Sequence, residues 1–229
     1  MTDITVGVDF LIQALLVVHV GAGVVALVAA LIALVNKKGS TRHRQIGVVF
    51  FWSMLTVGAT AIPVTFYRPN PFLFFIALFS LYMAFAGYRR GKARFESTRL
   101  DRWVANSMIA LAVVMIGYGV TMALDGIGVG WALISFGGLG MAFGIVDTAH
   151  ARKRQRHSAK VQVHLSRMIG GTIATITAVL VQQISPLVRS ELGQVALWLG
   201  PTVALVPLIV LWQIHIQQTG TYRLFAYKP

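Results

Sequence analysis

Few side chains here can move a proton or hold a ligand. The 229 residues include six histidines and seven carboxylates, and no cysteine. The missing thiols exclude disulfides, thiolate metal sites and cysteine nucleophiles. The residues left as candidates are His19, His43, Arg44, Asp147, His150, His164, Arg167 and His215. Asp147 precedes His150 by three positions, and His164 precedes Arg167 by three, so on helices each pair shares one face. His19 lies on a stripe with Gly23, Ala26 and Ala30, a pattern that turns it toward other helices.

Three chemistries suit this set. In the first, Asp147 pairs with Arg167, and histidines such as His150 and His215 sit near helix C-termini, where the dipole favours them. In the second, His43, Asp147, His150 and His164 hold zinc, a metal that accepts imidazole and carboxylate. No helix carries the His-x-x-x-His or His-Glu-x-x-His spacing that marks such sites. In the third, two histidines at matched depth on facing helices bind haem b. His19 has no second histidine at its level, so a haem is not expected at mid-membrane but only at the cytoplasmic edge. There is no glycine-rich phosphate loop and no Gly-x-Ser-x-Gly elbow.

The elements that must position these residues are set by composition. Hydrophobic residues make up 56% of the chain and charged residues only 12%, against about a quarter charged in soluble domains. A membrane-spanning helix needs about 20 apolar residues. Seven segments qualify, at 8–35, 46–67, 72–88, 103–124, 131–149, 163–184 and 195–216. The fold expected is an all-α bundle of seven transmembrane helices forming one domain over 1–229. The first segment follows Asp3 and Asp9 rather than a basic leader, so it is expected to be a retained helix and not a cleaved signal peptide.

Orientation follows from the basic residues. All of the 20 except Arg68 and Arg189 fall in the links after segments one, three and five, at the start of segment six, or in the tail. Lys and Arg are retained on the cytoplasmic side. This predicts an outside N-terminus, a cytoplasmic C-terminus and residence in a bacterial inner membrane. The net charge of +13 then points to anionic lipid head groups as partners, not to nucleic acid. His43, His150, His157, His164 and His215 gather on that same side.

Met83-Ala84-Phe85-Ala86 echoes Met141-Ala142-Phe143-Gly144, and Ser53-Met54-Leu55 echoes Ser107-Met108-Ile109. These echoes are compatible with three hairpin repeats plus one helix. Gly140-x-x-x-Gly144, with Gly137 above it, marks a close helix contact on the fifth segment. Pro63, Pro201 and Pro207 fall inside spans.

Several of these motifs occur together. His19 with Gly23, the His43-Arg44-x-x-Gly47 opening of segment two, and His164-Leu165-x-Arg167-Met168 followed by Thr175-x-Thr177-Ala178 resemble a bacterial family of multi-spanning membrane proteins known only as a domain of unknown function. The resemblance covers about a third of the chain. It implies a membrane fold and draws attention to those residues, and it carries no activity. The intramembrane zinc hydrolases that include alkaline ceramidases have paired histidines on their last helix, whereas segment seven has His215 alone.

The function expected is a non-enzymatic membrane protein, either a small transporter or an accessory subunit of a larger membrane complex. The alternative is a zinc hydrolase or a haem b redox protein.

Overall fold

The computed structural model describes residues 2–92, 97–151 and 157–219, without the side chains of 2–6, 157–159 and 208. Among these residues the only regular secondary structure is helix. The elements are α1 (Thr2–Val35), α2 (Thr41–Tyr67), α3 (Pro71–Gly91), α4 (Arg99–Leu124), α5 (Val129–Ala151), α6 (His157–Ile184), a 3-10 turn (Ser185–Leu187) and α7 (Glu191–Thr219). All seven α-helices are long and apolar enough to cross a membrane. Arg94, Arg152, Lys153, Arg154, Arg156, Arg223 and Lys228 lie outside the described residues, as does the side chain of His157.

Each helix contains its expected span, and all seven run further at one or both ends. The reason is local. Polar residues end an apolar run but do not end a helix while they cap it. Ser40 accepts from His43 N–H at 3.2 Å, so α2 begins before its apolar stretch. Thr98 and Asp101 form a reciprocal capping box that starts α4. Asn70 accepts from Leu73 N–H at 3.0 Å, and Pro71 occupies the first position of α3, where a missing N–H costs nothing. Lys38 closes α1 by donating to the carbonyls of Ala33 (2.8 Å) and Leu34 (2.6 Å). Partial burial lowers the Lys38 pKa from the ordinary lysine value.

The chain divides into two compact units, Met1–Phe85 and Ala86–Pro229. In the first, α1 and α2 pack side by side: Ala26, Ala29 and Ala30 are buried on α1 and Thr60 on α2, while the space beside Gly58 of α2 is filled by the Leu81 side chain of α3. The outer faces stay apolar and exposed, as at Phe10, Val17, Val24 and Val28, which suits a lipid solvent in which exposed valine costs nothing.

In the second unit, α4 and α5 pack tightly, α6 packs on α7, and α5 touches α7. The α4–α5 seam repeats every seven residues. Gly130, Gly137 and Gly144 of α5 face Gly119, Ala112 and Ala105 of α4 in turn. A Cβ on Gly137 would come within 3.2 Å of the Ala112 carbonyl oxygen, and one on Gly144 within 3.0 Å of that of Ala105. A strict seven-residue repeat of contacts keeps two helices in register along their length. The seam glycines Gly137 and Gly144 were expected to make contacts, while the heptad partners on α4 were not. At the opposite end of this seam from Asp147, Gly128 N–H donates to Glu191 Oε2 at 2.8 Å, tying the α4–α5 turn to the start of α7.

Candidate functional site

The polar centre of the second unit forms where the end of α5 meets the start of α6. Arg167 is 2% exposed and Asp147 3%. Arg167 Nη2 donates to Asp147 Oδ1 at 3.1 Å and to the Phe143 carbonyl at 3.2 Å, and Nη1 donates to Ser166 Oγ at 2.9 Å. The guanidinium also stacks over the Phe143 ring, 3.8 Å from its centroid, so the π face shares in compensating a desolvated cation. Arg167 Nε is buried and has no hydrogen-bond partner among the described residues. This arrangement is a charge held neutral inside the protein: one carboxylate and one ring face answer one guanidinium.

His164 lies one turn before Arg167. Its Nδ1–H donates to the Gly87 carbonyl at 2.8 Å. The contact exists because α3 ends in Gly87-x-x-x-Gly91. A Cβ on Gly87 would meet Met168 Sδ at 2.8 Å and Arg167 Cβ at 3.1 Å, and one on Gly91 would lie 2.7 Å from His164 Nδ1. Two glycines thus let α6 and its imidazole settle against α3. We expect Gly91→Ala to push the ring off the Gly87 carbonyl and to lower stability by about 1–3 kcal/mol. In detergent melts, the His164→Ala/Gly91→Ala double variant should be no worse than His164→Ala alone. A Gly91→Ala protein that melts with the wild type would show that the ring has room to move.

His150 is half-buried at the end of α5, within the fields of Arg90, Asp147 and Arg167. His215 is half-buried near the end of α7. There Gln217 Nε2 donates to Gln162 Oε1 at 3.4 Å. The structure therefore brings Asp147, His150, His164 and Arg167 to one end of the second unit.

His19, His43 and Arg44 belong to the first unit. His43 Nδ1–H donates to the Ala33 carbonyl at 3.2 Å, fastening the start of α2 to the end of α1. Arg44 is exposed. His19 Nδ1 lies 3.0 Å from the Val57 carbonyl and 3.1 Å from Thr60 Oγ1, on α2.

Three polar residues went unrecognised as site residues. Arg89 grips Asp101 with two bonds, Nε to Oδ1 at 2.9 Å and Nη2 to Oδ2 at 2.6 Å. Arg90 is buried at 5% exposure. In the sequence Arg89 and Arg90 read as members of a basic link, and only the Thr98-x-x-Asp101 capping spacing hinted that this stretch is ordered.

Among the described residues, no three His, Asp or Glu side chains gather where one metal ion could bind them. Of the zinc set, His43 lies in the first unit; in the second, Asp147 faces Arg167, and His164 directs its Nδ1–H to a backbone oxygen. No family model, no curated protein and no solved structure matches this chain.

Proposed function

We propose that this chain is a multi-pass protein of a bacterial inner membrane, with its N-terminus outside and its basic links in the cytoplasm, and that it acts without catalysis as an accessory subunit of a larger membrane assembly. The observation that carries this reading is the Asp147–Arg167 pair. Each of its two buried charges is answered by the other, which favours a structural tie over a site for substrate. Around it, glycine contacts and carbonyl-anchored imidazoles give a rigid frame. The exposed apolar faces of α1 and α7, including Val17, Val24, Val203 and Leu211, offer surface to lipid and to neighbouring helices.

A small-anion transporter is the second reading. It is favoured by Arg167 Nε, a buried donor with no described acceptor. The two separate by experiment. Native mass spectrometry of the chain extracted from its own membrane should give a stoichiometric complex with a second chain. A bare monomer, together with anion flux in proteoliposomes that vanishes in Arg167→Gln, would replace the accessory reading with the transporter.

A further inference from the structure

His19 stands near the middle of the span Gly7–Val35, twelve residues from one end and sixteen from the other, or about 18 and 24 Å along the helix. An ionisable group at such a depth is costly, and both sides of its ring call for partners. One side has them. The Val57 carbonyl, 3.0 Å from Nδ1, can only accept, so Nδ1 bears the hydrogen. Thr60 Oγ1, at 3.1 Å, sends its own hydrogen toward the Thr56 carbonyl at 2.7 Å, so it receives as well. The neutral ring then carries its lone pair on Nε2.

The other side is open. Both hydrogen bonds of His19 lie at Nδ1, and Nε2 meets no hydrogen-bonding group among the described residues. The ring is half-buried, and Nε2 is not among the atoms sealed inside the chain. Val17, Val18 and Val20, its neighbours in sequence, are exposed. An exposed valine costs nothing in lipid, whereas a lone pair facing hydrocarbon forgoes a hydrogen bond that water would have given it. The partner this nitrogen lacks must bring an N–H or O–H donor to mid-membrane. A second copy docking the same face about a twofold axis fails that demand, because it brings another His19 lone pair to the same depth and sets acceptor against acceptor.

We propose that the His19 face of α1 is the contact for the second chain, and that this chain presents there a membrane-spanning helix with a serine, threonine, asparagine or glutamine donating to His19 Nε2. Such residues join helices inside lipid by hydrogen bonds of this kind. The inference rests on the accessory-subunit reading and adds which helix meets the partner and what the partner carries.

The separating variant is His19→Asn. Its amide nitrogen takes the place of Nδ1 and can still donate to Val57, while nothing stands where Nε2 was. The free variant should melt with the wild type. Expressed together at equal levels in the native host, wild-type and His19→Asn chains compete for the second chain. Native mass spectrometry of the extracted complex should find the wild type enriched about threefold or more, the typical worth of one hydrogen bond between helices in lipid. Nitrogen NMR of histidine-labelled protein gives a readout that packing alone would not move. The His19 Nε2 signal, identified by its loss in His19→Asn, should shift in the sense of an accepted hydrogen bond in the complex, but not in the free chain in phosphatidylcholine nanodiscs. Equal shares of the two chains in the complex would overturn this inference and leave the accessory reading standing. An Nε2 shift already present in the free chain would also overturn it, since water or a lipid-soluble hydroxyl compound then answers the nitrogen. A wild-type chain extracted as a bare monomer would remove both.

Discussion

Asp147→Ala should lower the stability of the protein by about 3–5 kcal/mol, because it strands the Arg167 guanidinium in the interior without its counter-charge. Both partners are buried, with side-chain exposures of 3% and 5%, so water cannot take the place of the lost carboxylate. The Phe143 ring at 3.8 Å and the Ser166 hydroxyl remain, and they compensate the cation only in part. The double variant Asp147→Ala/Arg167→Met should recover most of the loss, since an apolar side chain of similar length removes the stranded charge itself. Asp101→Ala supplies the contrast. Its partner Arg89 keeps 22% exposure and can turn toward water. The expected loss there is about 1–2 kcal/mol, from the capping box and a screened ion pair together. Melting midpoints of the four proteins in one detergent decide the matter. A double variant as unstable as Asp147→Ala alone would mean that volume, not charge, sets the cost.

The seven spans were readable because a helix in lipid must be apolar for about 20 residues, a constraint that averages over many side chains. Helix ends were less readable. Ser40, Thr98 and Asn70 extend helices by single hydrogen bonds that hydropathy does not register. The partnership of Asp147 with Arg167 could be anticipated, since two opposite charges near the meeting ends of consecutive helices have few other places to go. Arg89 and Arg90 were hidden among basic residues whose first duty is topological, and nothing in the sequence separates a buried arginine from an exposed one in such a run. The Val57 carbonyl beside His19 Nδ1 was also out of reach. Which backbone oxygen an imidazole meets depends on how far α2 is rotated against α1, and that is settled by the packing of buried residues such as Ala26 and Ala30 rather than by any motif.

The α4–α5 seam held a signal that attention to single glycines passes over. Ala105, Ala112 and Gly119 recur every seven residues, and so do Gly130, Gly137 and Gly144. Small residues at one heptad position on two consecutive helices predict that these positions face each other. The seam gives the sharpest test of the packing, because neighbouring glycines have opposite surroundings. At Gly137 a Cβ would lie 2.8 Å from Ile116 Cγ1 and 3.2 Å from both the Ala112 oxygen and the Ile116 nitrogen. The isoleucine can rotate away, but the backbone of α4 cannot. Gly137→Leu should therefore force the helices apart and cost about 3 kcal/mol, with the loss spread to Gly130 and Gly144 because they share the register. Gly138, the next residue, is exposed with nothing within 4 Å. Gly138→Leu should leave stability unchanged or raise it by about 1 kcal/mol through helix propensity. Side-by-side melts of the two variants give the answer. If they melt together, α4 and α5 do not approach as closely as the heptad of small residues requires.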